Sequence, residues 1–147
     1  MLSMNIVYYY NVHLKYAPVK AFLTKYAIKS TDTVKVKEKK IKVLAFIDQA
    51  IQFIREHKGK PIPPIAKTIR GYSFHELRIK EGDQLIRILY FAYHQEQLVL
   101  LNAFEKPELY LKGAKKKIER EIQKILELTD LYYQDFITNP KHYAEYY

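Results

Sequence analysis

The chain has 147 residues, with 25 Lys and Arg against 16 Asp and Glu for a formal net charge of +9, and no cysteine. That excludes a disulfide framework, a thiol nucleophile and a thiolate metal site, and 48% hydrophobic residues exclude a disordered chain. No apolar run approaches the ~20 residues of a membrane span, and Met1-Leu2-Ser3-Met4 lacks a signal-peptide pattern, so one cytoplasmic domain over 1–147 is expected.

In chain order, the even positions from Ile6 to Tyr16 (Tyr8, Tyr10, Val12, Leu14) are apolar or aromatic, which predicts a strand over 5–16 with one buried face. Pro18 suits a first helical turn, and Val19, Phe22, Leu23 and Tyr26 follow at helical spacing. Ser30-Thr31-Asp32-Thr33 is a set of N-cap residues, after which Ile41, Leu44, Ile47, Ile51 and Ile54 mark one face of a long helix. Lys35, Lys37, Lys39, Lys40 and Lys42 crowd its start, the wrong end for cations by the helix dipole; either the helix starts later or the cluster has a use. Gly59 and prolines 61, 63 and 64 end the helix and predict a stiff extended linker. Strand patterns return from Tyr72 to Phe104, broken at Gly82-Asp83 and at His94-Gln95-Glu96. A last helix is predicted from about Ala114 to Phe136, with Ile118, Ile122, Ile125 and Leu128 or Thr129 in line, followed by a tail over 137–147. The order β-α-α-β-β-β-α implies an α+β fold, a single mostly antiparallel sheet with helices packed on it.

The first hairpin carries the chemistry. With Gly82-Asp83 as a two-residue turn, Leu77 faces Ile88 and Ile79 faces Ile86 in the core, while Arg78 faces Arg87 and Lys80 faces Leu85 on the other side. Directly opposed like charges destabilise a sheet pair, unless an anion sits over them. Arginine's planar fork suits phosphate. A two-residue turn at Gln95-Glu96 adds Phe104 beside Arg87 and Lys106 two residues on. Arg78, Lys80, Arg87, Phe104 and Lys106 then form a basic, aromatic-edged concavity of the kind that holds single-stranded RNA. The plainer alternative is that Glu76 or Glu105 simply pairs with the arginines. The five histidines (13, 57, 75, 94, 142) show no metal-ligand spacing, so neither a metal nor a cofactor is expected. His75 and His94, near the hairpins, are candidates for acid–base work.

Gly71-Tyr-Ser-Phe-His-Glu76-Leu-Arg78, Arg87-Ile-Leu-Tyr-Phe91, Leu98-Val-Leu-Leu-Asn-Ala-Phe104-Glu-Lys106 and the earlier Pro18-Val-Lys-Ala-Phe-Leu23 resemble, in order over about residues 5–130, the RelE/HigB toxin superfamily, specifically its phage Gp49-like branch. That branch carries E-L-R, R-x-L-Y-F, a strand ending F-x-K-K and a closing helix. The resemblance implies a RelE-like fold and the toxin of a bacterial type II toxin–antitoxin pair, a metal-independent endoribonuclease that cuts mRNA on the ribosome. It further implies a cognate antitoxin with a helix-turn-helix domain, through which alone the toxin would meet DNA. By position, Arg78 and Arg87 would bind the scissile phosphate, Lys106 would assist there or at the leaving group, and Tyr110 would stack on a base or move a proton. Lys80, Phe104, Lys112, Lys115 and Lys116 would contact RNA. The second lysine of F-x-K-K is Pro107 here, which leaves open a non-catalytic RNA- or protein-binding module of the same fold.

Overall fold

The computed structural model describes residues 4–82, 84–106 and 114–140. Nine elements follow one another: β1 (Asn5–Tyr8), α1 (Pro18–Leu23), a 3₁₀ turn (Thr24–Tyr26), α2 (Val34–Glu56), β2 (Ala66–Thr68), β3 (His75–Glu81), β4 (Gln84–Tyr93), β5 (Gln97–Lys106) and α3 (Lys115–Thr138). The strands form one sheet in the order β1-β5-β4-β3-β2. β1 runs parallel to β5 and the other neighbours are antiparallel, so the sheet is mixed and the fold is α+β.

Both faces of the sheet are covered. On one, Val19 and Phe22 of α1, Tyr26, and Val43, Ile47, Ile51 and Ile54 of α2 pack on Leu77, Ile79, Ile86, Ile88, Leu98 and Leu100. On the other, Tyr132 and Phe136 of α3 pack on Val7, Tyr9, Leu89, Phe91, Val99 and Leu101. The expectation of a first strand with one buried face is therefore corrected: Val7 and Tyr9 point to α3 while Ile6 and Tyr8 pack on the α2 side. The strand also stops at Tyr8 rather than residue 16. Asn11 Oδ1 accepts from Leu14 N at 2.9 Å and the Asn11–Tyr16 bridge closes a turn, so a side chain that mimics backbone overrides the alternation.

Thr33 caps α2, its Oγ1 accepting from Val36 N at 3.2 Å. The buried stripe is Val43, Ile47, Ile51 and Ile54. Ile41, expected in it, is 55% exposed, because six residues before Ile47 is ~120° round a helix of 3.6 residues per turn. At the other end Gly59 adopts φ +83, and a Cβ there would lie 2.7 Å from the Ala92 Cβ. Glycine closes the helix and also lets it approach the sheet.

The expected linker holds a short strand. Once the prolines end at residue 64, amides are again available, and Ala66–Thr68 pairs with β3 from Leu77 to His75. α3 spans Lys115–Thr138, two residues into the expected tail; residues 141–147 lie outside the described residues. Leu128 is exposed, and it is Thr129 with Tyr132 and Phe136 that is buried.

Candidate functional site

Strand register places the cationic residues. β3 and β4 pair Arg78 with Arg87, Lys80 with Leu85 and Glu76 with Leu89, the arrangement the two-residue turn predicts. Glu81 pairs with Gln84, and Gly82 supplies the positive φ of +58 that the turn needs. β5 adds Phe104 opposite Arg87 and Lys106 opposite Leu85. The α3-side face of the sheet thus carries three rows of three: Lys80, Leu85, Lys106; Arg78, Arg87, Phe104; and Glu76, Leu89, Asn102. The last row lies under α3, where Asn102 Nδ2 donates to Thr129 Oγ1 at 3.1 Å.

The reason for the Arg87–Phe104 pairing differs from the expected one. The β4–β5 connection has three residues, His94-Gln95-Glu96, since Tyr93 pairs with Gln97. His94 and Gln95 sit at φ +50 and +59, and Glu96 N donates back to Tyr93 O at 3.1 Å. One residue lost to the loop is returned by a β-bulge: Tyr90 pairs with Leu100 but Leu89 with Asn102, leaving Leu101 as the extra residue. The two irregularities cancel.

The arginines are not equivalent. Arg87 is 5% exposed. Its Nε lies 2.6 Å from Glu76 Oε1, and its Nη1 donates to Ile86 O at 3.2 Å. Arg78 Nε is 3.8 Å from the same carboxylate oxygen, and its side chain is 37% exposed. Glu76 therefore stands between two opposed guanidiniums and offsets one of their two positive charges. The plainer alternative raised for the arginines, pairing with Glu76, is the arrangement found. The signal was available: two residues before Arg78 on one strand is the same face, and one step along from the Arg78–Arg87 pair is diagonal contact distance. Arg78, Lys80, Leu85 and Arg87 line a concavity of about 370 Å³ bounded by Pro64 and Ile65. Arg78 N donates to Ile65 O at 2.7 Å, fixing the edge of β3 against that rim.

Phe104 is half-buried beside the α3 core, and Lys106 is half-buried on the same face. Lys115 and Lys116 are exposed on the first turn of α3. Tyr110, Lys112 and Pro107 lie outside the described residues. His75 pairs with Tyr90 in the α2-side layer, its ring 5.5 Å from the tyrosine ring, so the sheet separates it from the arginines. Burial holds its pKa below the ordinary value. His94 is in the β4–β5 loop, its ring tilted against that of Tyr93 with centroids 4.1 Å apart. Neither histidine shares the cationic rows. Among the described residues no group of three His, Asp or Glu could hold a metal, and no helix is long and apolar enough to cross a membrane.

A mixed five-stranded sheet between helices, with a row of opposed guanidiniums flanked by an aromatic ring, defines an α+β protein with a cationic sheet face. A family model described as phage-derived protein Gp49-like (DUF891) matches residues 35–130, and the chain belongs to that family. The match runs from the start of α2 into α3 and so takes in every strand of the cationic face. No curated protein matches the chain.

Proposed function

We propose that this protein is a RelE/HigB-like toxin, an endoribonuclease acting on mRNA at the ribosome and neutralised by a helix-turn-helix antitoxin. Membership of the Gp49-like family, commonly related to toxin–antitoxin systems, supports the context. The observation that carries the reading is the direct opposition of the part-exposed Arg78 to the buried Arg87, with Phe104 alongside. Two like charges held together in a sheet cost stability; Glu76 offsets one of them, and a bridging phosphodiester would offset the other.

In the proposed reaction a ribose 2′-oxygen attacks the adjacent phosphorus. The O2′–P bond forms and the P–O5′ bond breaks, giving a 2′,3′-cyclic phosphate and a 5′-hydroxyl. The 2′-OH proton passes to solvent or a base, and the leaving O5′ gains a proton. RNA supplies the nucleophile, so the protein has to align it and stabilise charge on the phosphorane. Arg78 approaches a non-bridging oxygen from the open side. Arg87, held by Glu76, forms the preorganised wall, and Lys106 and Tyr110 serve the leaving oxygen. Phe104 and Lys80, with Lys112, Lys115 and Lys116, hold flanking nucleotides.

Inducible expression in a bacterial host, with and without the adjacent gene, tests this. Growth arrest with messenger fragments ending in cyclic phosphate is expected, and Arg78→Ala should reduce cleavage by about 100-fold, the range for loss of one oxyanion donor. Harmless expression of soluble, folded protein with intact messengers overturns it. The burial of Arg87 against Glu76 favours a second reading, a non-catalytic module that holds RNA without cutting it. Bound but uncleaved RNA would select that one.

A further inference from the structure

On the α2 side of the sheet, away from the cationic rows, a second recess opens where the first half of α2 meets the 3₁₀ turn and the start of β4. Its volume is about 180 Å³, and it is lined by Lys25, Tyr26, Val36, Lys39, Lys40, Val43 and Gln84. Val36, Lys39, Lys40 and Val43 are spaced i, i+3, i+4 and i+7 and so form one stripe of the helix. Because α2 begins at Val34, the lysine cluster does occupy its first turns, and the dipole cost is incurred rather than avoided. Five lysines and one glutamate fall within Lys35 to Lys42. Lys40 is engaged by Asp32 at 2.7 Å and Lys42 by Glu81 at 3.7 Å. Lys25 and Lys39 remain exposed at the rim.

Apolar surface accompanies the charge. Val36, on the stripe that lines the recess, is 40% exposed. Inside it, Gln84 Oε1 is buried and has no hydrogen-bond partner among the described residues, whereas the Tyr26 hydroxyl donates to Glu105. A buried acceptor without a donor costs free energy. Exposed ammonium groups beside an aliphatic stripe call for a visitor that brings negative charge and aliphatic groups.

We propose that this recess is the docking site for an acidic segment of a protein partner, which inserts an aliphatic side chain between Val36 and Val43 and sets carboxylates against Lys25 and Lys39. The contrast with the sheet face selects polypeptide over nucleic acid. There, guanidiniums accompany a half-buried phenylalanine; here, ammonium groups accompany valines, and the neighbouring rings of Tyr26 and of Phe22 under Lys25 are buried at 5% and 7% exposure, so bases find no open ring to stack on. The recess is below the ~300–1,000 Å³ typical of small-ligand pockets and suits one anchoring side chain of a longer chain. Complementary charge steers the encounter, and the apolar contact holds it.

The test uses full-length protein labelled with ¹⁵N. The main probe is a synthetic helical peptide with leucines at i, i+3, i+4 and i+7 and glutamates elsewhere. A matched peptide has serine in place of leucine, and the third probe is a short oligouridylate. The acidic leucine peptide should shift the amides of Val36, Lys39, Lys40 and Val43 and the side-chain amide of Gln84. Lys25→Glu with Lys39→Glu should weaken it by about tenfold or more, the effect of reversing charges at an interface. Both substitutions are at exposed positions, so the spectrum elsewhere should be unchanged. Absence of shifts at the recess, or equal shifts with the serine peptide or with oligouridylate, overturns the proposal. The same oligouridylate titration reads Arg78, Arg87 and Phe104 independently, so failure of the RNA reading leaves the peptide result standing.

Discussion

Arg87 and Arg78 differ in what their removal does. Arg87→Ala leaves the Glu76 carboxylate, itself only 13% exposed, without its closest cation. Breaking a buried pair in this way costs about 3–5 kcal/mol. Arg78→Ala removes a half-exposed partner at 3.8 Å and should change stability by less than about 1 kcal/mol. Urea denaturation of the two variants should therefore separate them, with RNA binding lost in both but the fold weakened only in Arg87→Ala. Adding Glu76→Leu to Arg87→Met should restore most of that stability, since an apolar replacement of both partners is often neutral. Equal destabilisation by the two single alanine variants would show that Glu76 does not discriminate between the arginines.

His75 gives the acid side of the stability profile a definite sign. Its folded pKa lies below 6.5 because burial disfavours the charged ring. The unfolded chain therefore binds the proton first. Stability is complete above about pH 6.5, declines as the pH falls through that value, and levels off below the folded pKa. His75→Phe should remove this decline, measured as the difference in urea midpoint between pH 7.5 and pH 5.5.

At the scale of elements, the β4–β5 hairpin holds two non-glycine residues in the left-handed region, which costs about 1–2 kcal/mol each. Gln95→Gly should raise stability by about 1 kcal/mol, seen as an increase of a few degrees in Tm. An unchanged or lower Tm would mean that Gln95 makes a compensating contact. This loop also shows how far the sequence could be read. The Gly82 turn announces its own register, because glycine at positive φ is a local chemical signal. The second loop contains no glycine, so both its third residue and the bulge at Leu101 were invisible, and the Phe104 pairing came out right only because they offset each other. β2 was hidden by its length of three residues and by the prolines before it. The short reach of β1 was hidden because alternating apolar residues at 12 and 14 continue past the Asn11 turn. Burial of Arg87 was also illegible, since it depends on three strands and a carboxylate meeting in space.

Across the whole molecule, helices cover both faces of the sheet, but the rows containing Lys80, Arg78 and Lys106 remain only partly covered. A +9 chain with this distribution should bind single-stranded RNA with strong salt dependence. Up to four cations on the face (Lys80, Arg78, Arg87, Lys106) give a slope of log K against log salt of about −3, at roughly −0.7 per phosphate contacted. Lys80→Ala should reduce the slope by about 0.7 without unfolding the protein, whereas an unaltered slope would remove Lys80 from the RNA path. The family match, confined to residues 35–130, contains all of these cations but not β1 or α1.

The compensation between Leu101 and the turn above it ties the shape of the loop to the face on which Phe104 emerges. If the same residues closed a two-residue turn at Gln95-Glu96 while β5 kept its extra residue, Phe104 would pass to the opposite layer and Glu105 would come beside Arg87. Replacing Gln95-Glu96 by Asn-Gly, which favours that shorter turn, should therefore loosen the grip on polyanions unless the bulge is lost with it.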